Sequence, residues 1–422
     1  MNARGDLREQ RGREIAARAR IVKRDNAWLV PSQAGDGVYR VTLDENNLRC
    51  TCPDFELRRS HCKHMFAAAI VVQRQTMTDV TETNAAGETV TTSTTVTETA
   101  TVRVSYPQPN WPAYHNAQCA EKETVQALLQ TLCDGIITPP STGRGRPRTP
   151  LSDAVYGMTM KVYTTVSGRR ATADLEASAK AGHMLKAPRY NTIFDYFDRP
   201  ELTPLLTTLV EESASPLACV ESKFAADATG FGTATYRRWY DQKYGRERSE
   251  RGWIKAHAMV GTQTNIITAI QVTPSEANDA PEFPALVLST VERFDMRDVS
   301  ADKAYLSHAN LSVVEAVHAV PYIPFKSNSR ADGSAAWRRM YGLFMYRQAE
   351  FLTHYHARSN VESTFSAMKR KFGANVRSKN PTAQINEVLC KALCFNLSML
   401  VHAIHELGIE PEFGTTFAGR AG

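Results

Sequence analysis

The amino-acid sequence predicts a multidomain protein: an α/β core built on a mixed sheet, an all-α region ahead of it, and a small β-β-α module at the start of the chain. Three observations carry the prediction. Three cysteines and a histidine fall within residues 50–64, apolar residues recur at helical spacing between 121 and 212, and from residue 219 the texture changes to short strand-like runs with aspartates at their ends. At 422 residues and 42% hydrophobic content, the chain is long enough for two or three domains with cores of their own.

The net charge is +6, and the excess is concentrated early, where residues 1–75 carry 14 Lys and Arg against 9 Asp and Glu. A basic first module points to an anionic partner. The opening MNARGDLREQRGREIAARAR is charged throughout and has no apolar stretch, so it does not read as a secretory signal, and Asp6, Glu9 and Glu14 argue against a transit peptide. No window approaches 18 uninterrupted apolar residues, so no membrane partner is expected. Eight cysteines in a chain of this length do not form a disulfide scaffold, and a reducing intracellular compartment is expected.

In the first module (1–75), Ala27–Val30 and Val38–Thr42 read as two strands joined by the turn-rich PSQAGDG. Cys50, Cys52, Cys62 and His64 follow as C-x-C-x9-C-x-H, three soft thiolates and an imidazole, which suits tetrahedral zinc. His61 is a rival ligand, but the C-x-H spacing favours His64. The arrangement resembles the SWIM zinc finger, which implies a role in binding DNA or protein. Arg58, Arg59 and Lys63 could reach phosphates or form a solvated face.

Residues 76–105 are Thr-rich and nearly lack large apolar side chains, so they are expected as a flexible linker, with exposed strand as the alternative that Thr and Val allow. The region 106–218 is helical by pattern, with Val125, Leu128, Leu129 and Leu132 on one stripe. Within it GRGRPR resembles an AT-hook, whose arginines, here Arg144, Arg146 and Arg148, would enter a narrow minor groove; a basic Pro-rich connection is the equal alternative. The short helices before residue 212 could include a helix-turn-helix or form an ordinary helical domain with a scattered basic surface.

The third region, 219–410, precedes a tail at 411–422. Its runs follow a β-β-β-α-β-α order, with Asp227 and Asp302 each at the exit of a short strand. Near its end, Tyr355, Arg358, Glu362 and Lys369 fall on one face of a helix of about 3.6 residues per turn. Such a stripe is ordinarily a solvated, ion-paired surface. With two strand-end aspartates ahead of it, the region resembles the DDE transposases of bacterial insertion sequences: ADATGF and ADKAY look like the first two acidic motifs, and Y-x2-R-x3-E-x6-K is the signature of one large branch.

The resemblance implies a ribonuclease H-like fold and a transposase that cuts double-stranded DNA at element ends and joins it to target DNA, acting as a homodimer when two ends are paired. Phosphoryl transfer from DNA needs a deprotonated oxygen nucleophile and relief of charge on the leaving oxygen, and two divalent ions about 4 Å apart can serve both. Asp227, Asp302 and Glu362 are the expected catalytic ligands for Mg2+ or Mn2+, while Tyr355, Arg358 and Lys369 are expected on the DNA. Asp241, Asp279 or Asp298 could replace a neighbouring aspartate, though Asp279 reads as an N-cap. Lys255 and His257 are further candidate DNA contacts, and Trp337 and Tyr341 could stack a flipped base or pack in the core. Cys390 and Cys394 share a helical face and read as core. A regulator that keeps the fold without catalysis, or a nuclease without strand transfer, is the alternative function.

Overall fold

The computed structural model describes residues 3–24, 27–32, 37–44, 47–58, 61–73, 76–83, 89–96, 110–138, 148–233, 243–244 and 252–414. The chain divides into two compact units, 1–108 and 109–422.

In the first unit, β1 (Val22–Arg24), β2 (Ala27–Pro31), β3 (Val38–Asp44) and β4 (Asn47–Cys50) form an antiparallel sheet in chain order. The expected β-β-α module is thus widened by a strand on either side and by helix α1 (Ala3–Arg18), which packs on α3 (Lys63–Gln73) beyond the short α2 (Pro53–Arg58). Period-2 alternation turns Trp28, Val30 and Val41 inward, onto Ala67, Ala68 and Ile15. Gly12 permits the close approach of α1 to α3, because a Cβ there would meet Phe66 Cβ at 2.5 Å. The expected linker contains an antiparallel hairpin, β5 (Thr76–Thr83) paired with β6 (Thr89–Val96) from Thr76↔Val96 to Thr83↔Thr89. Unbroken pairing along β-branched residues accounts for the strand alternative being the one realised.

The second unit opens with helices α4 (Trp111–Asp134), α5 (Leu151–Tyr163), α6 (Gly168–Lys180), α7 (Tyr190–Phe197) and α8 (Leu202–Ala214). A mixed sheet follows, made of β7 (Lys223–Gly232), β8 (Trp253–Gly261), β9 (Ile267–Pro274), β10 (Asp298–Ala301) and β11 (Val320–Tyr322) in the order β11-β10-β7-β8-β9. Strands β7, β8 and β9 are antiparallel neighbours, whereas β10 and β11 run parallel to β7, with α9 (Phe283–Val291) and α10 (His308–Ala316) in the crossovers. This mixed five-stranded sheet with its helices is consistent with a ribonuclease H-like core.

Two expectations change here. First, the helical region and the α/β region are not separately cored, because one continuous apolar core runs from Ala117 to Ala403. The helix α14 (Pro381–Leu407) joins them by packing on α4, α5, α7, α8 and β9. By length and composition α14 could cross a membrane, but it is mostly buried within this unit. Second, the signature stretch is not one helix: α11 (Ala335–Tyr346) and α12 (Gln348–Tyr355) are followed by a 3-10 turn at His356–Arg358 before α13 (Ser359–Phe372).

Candidate active site and metal centre

Parallel pairing of β7 with β10 sets Asp298 opposite Lys223 and Ala301 opposite Ala226. The next residue on each strand is an aspartate, Asp227 on β7 and Asp302 just past β10, so the two acids are brought to one edge by register alone. The sequence pattern puts Asp227 at a strand exit, yet β7 continues to Gly232. The Gly- and Thr-rich run that follows is paired with β8 rather than turned, and Gly230 leaves room for the Trp253 ring, which a Cβ would approach to 2.8 Å. Asp302 caps the turn Lys303–Tyr305, accepting from the Lys303 N–H at 2.6 Å.

Glu362 lies in the first turn of α13 with its side chain about half exposed. Arg358 stands between the acids: Nη1 donates to Asp227 Oδ2 at 2.8 Å and Nη2 to Glu362 Oε1. Burial pushes the Asp227 carboxyl above its usual range, and the nearby charges of Asp302 and Glu362 push the same way against the Ala228 N–H and Arg358. Lys369, one face along α13, donates Nζ to Thr229 Oγ1 at 2.6 Å and lies 5.2 Å from the Phe231 ring centroid; burial lowers its pKa. Thr229 and Phe231 share a face of β7 with Asp227, which is why Lys369 reaches them. Tyr355 ends α12, partly buried 6.3 Å from Phe351, and burial raises its phenol pKa. Arg148 is exposed just ahead of α5, while Arg144, Arg146, Arg59 and Asp241 lie outside the described residues.

Other candidates are placed elsewhere. Ala258 is the cross-strand partner of Asp227, so Lys255 and His257 point to the opposite face of the sheet. There Lys255 Nζ pairs with Asp279 Oδ1, and His257 lies 3.5 Å from that oxygen and 2.9 Å from Thr273 Oγ1. His257 is fully buried and cannot touch DNA, and Asp279 makes this pair rather than a side-chain cap. Asp298 binds His354 at 3.0 Å. Trp337 is buried, stacked on His308 at 3.9 Å and donating to the Arg330 carbonyl at 2.8 Å, so packing uses it fully. Cys390 and Cys394 are buried in the core as expected.

The first unit builds a metal centre. Cys50 ends β4, Cys52 follows it, and Cys62 and His64 flank the start of α3, all four buried, with one ligand atom from each lying within 4.8 Å of the others. The Cys50 and Cys62 sulfurs are 4.0 and 3.9 Å from His64 Nδ1, close enough for a single cation to be shared among them. Nδ1 is the His64 ring nitrogen that faces the two sulfurs, while Nε2 is buried with no hydrogen-bond partner among the described residues. The Cys62 thiol is lowered to about 4, chiefly because the Cys50 thiol donates to it; the same hydrogen bond, and then burial, holds Cys50 high, and burial holds Cys52 high. Three converging thiols sharing so little room fit Zn2+, which takes them as thiolates.

Two family models match the chain. Residues 219–397 match the transposase DDE domain, and residues 39–73 match the SWIM zinc finger. No curated protein matches the chain. The match at 219–397 begins just before β7 and ends within α14, so it contains both strand acids, Glu362 and the Arg358 that links two of them. The chain therefore carries a transposase DDE domain behind an N-terminal SWIM zinc finger, and its activity is phosphoryl transfer on DNA, cleavage followed by strand transfer.

Proposed function

We propose that Asp227, Asp302 and Glu362 are the catalytic acids, and that the protein cuts the ends of an insertion sequence with water and joins the 3′ hydroxyls to target DNA. The observation that carries this reading is the shared edge of β7 and β10, which sets the two aspartates side by side while Arg358 ties Asp227 to Glu362. Three carboxylates offer the hard oxygen donors that fit Mg2+ or Mn2+, and such ions, when bound, would activate the attacking oxygen and offset charge on the leaving one.

The chain's own residues do the rest. Arg358 offsets repulsion between the acids, and its planar fork suits phosphate as well as carboxylate, so it is positioned to hold the DNA backbone. Lys369, poorly solvated beside Phe231, offers a second cation to the same strand of DNA. Tyr355 supports Arg358 from the end of α12. The finger, the arginines of GRGRPR and the helical region would recognise ends or target, and the pairing of two ends calls for a homodimer acting on nucleoid DNA in the cytoplasm.

The test is to incubate the protein and Mg2+ or Mn2+ with labelled element-end DNA and a target plasmid. Wild type is expected to give joined products, and Glu362→Gln to reduce them by roughly 10³-fold or more while still binding DNA. Cutting without joining would make it a nuclease, and tight binding without cutting would leave only the regulator.

A further inference from the structure

A cavity of about 560 Å³ opens where α5 meets the loop between α13 and α14, away from the acids. Five cations line it, Lys161, Arg370, Lys371, Arg377 and Lys391, against one carboxylate, Glu387. That carboxylate is already occupied: it accepts from the Arg377 and Ser378 N–H groups at 2.9–3.0 Å and from the Ser378 hydroxyl at 2.7 Å. Lys391 is 2% exposed and donates to the Gly373 and Asn375 carbonyls. Lys161 is 6% exposed, and among the described residues its ammonium makes no hydrogen bond; the Phe197 ring lies 5.4 Å away and the Glu387 carboxylate favours its charge.

The Lys161 ammonium opens on the cavity rather than being sealed in the core, so its donors are available to an entering anion. The cavity wall is also tied by backbone hydrogen bonds to β7. Gly232 N–H donates to the Ala374 carbonyl at 3.2 Å and Val376 N–H to the Gly232 carbonyl at 2.9 Å, joining its wall to the end of the strand that bears Asp227. The Phe231 ring lies between Lys369, 5.2 Å away, and Lys391, 5.5 Å away.

We propose that this cavity is a second phosphate site, in which Lys161 and Arg370 hold a backbone phosphodiester of the DNA at a distance from the reacting bond. The proposal rests on the reading that the protein acts on DNA. It assigns the meeting of the helical layer and the sheet a direct role in fixing DNA register, since phosphate contacts position the duplex.

The experiment uses the full chain and a labelled 30-base-pair duplex, with affinity measured from 50 to 200 mM salt. Lys161→Met and the exposed-site variant Arg370→Ala are each expected to weaken binding about 5- to 10-fold and to reduce the salt slope by about one, while Lys161→Arg stays near wild type. Unchanged affinity and slope in both variants overturn the proposal. So does a wild type that is stabilised by inorganic phosphate, with the effect lost in Lys161→Met and DNA affinity unmoved, because the cavity then serves a free phosphate. Wild type that cuts and joins DNA while both variants bind normally removes this site alone; wild type that neither binds nor cuts removes the transposase reading with it.

Discussion

Arg358 shows how a single side chain organises the acidic edge. Its guanidinium donates to carboxylates from a central strand and from the start of α13, so two elements far apart in sequence converge on one cation. On the other face of the sheet, His257 answers to different physics. It is fully buried, and burial holds its pKa below the usual value despite the Asp279 carboxylate 3.5 Å away, with Lys255 adding to the depression. Below about pH 6.5 the unfolded chain binds a proton there that the folded chain refuses, so stability present at neutral pH is lost as pH falls. Denaturation at pH 7.5 and pH 5 should therefore show wild type losing more stability than His257→Gln. The difference approaches about 1.4 kcal/mol per pH unit below the unfolded pKa. Equal losses would mean that His257 does not titrate between the two states.

At the scale of elements, α14 carries the most structural weight. Its buried polar residues would be a liability unless satisfied, and Asn386 and Asn396 both have partners. Asn396 accepts from the Ile267 N–H at 2.9 Å and donates to the Ile267 and Val210 carbonyls and the Ser213 hydroxyl at 2.7–3.0 Å, stitching α8 to β9. Asn386 holds the Phe197 and Arg199 carbonyls and the Thr203 hydroxyl in the same way. Asn396→Leu removes four bonds and leaves buried backbone groups unpaired, so chemical denaturation should show a loss of about 3 kcal/mol or more. A loss under about 1 kcal/mol would show that the helical layer is held to the sheet by apolar packing alone. The break at His356–Arg358 is the other consequential element: it ends α12 at Tyr355 and begins α13 at Ser359, leaving Arg358 at the junction where it reaches Asp227.

Across the whole molecule, two separate apolar cores imply two separable stabilities. The first unit gathers its small core around the four metal-binding residues, and structural zinc contributes about 10–16 kcal/mol in isolated fingers. A chelator, or Cys62→Ser, should remove one equivalent of zinc and abolish the first unit's own step in the melt, while the unit at 109–422 keeps its own transition. Zinc retained in Cys62→Ser would count against the ligand set, and a common shift of both transitions would count against independent cores.

Short-range chemistry is legible in the residues alone. Cys50, Cys52, Cys62 and His64 lie within fifteen positions, and Asp227, Asp302 and Glu362 stand in motifs of a few residues each, so type and spacing are enough to nominate them. The sequence by itself therefore determined the candidate zinc ligands as a set, the β-β-β-α-β-α order of the third region, and the candidate acids. Long-range packing decided what spacing cannot express: that β7 runs through its glycines because Trp253 covers Gly230, that the helical layer and the sheet share one core through Asn386 and Asn396, and that His257 faces away from the acids. The same packing brought Lys161 into a cavity of cations with Arg370, although the two are far apart along the chain. The physical reason is that burial and pairing are properties of surfaces brought together by folding, whereas ligand chemistry is written in the residues themselves.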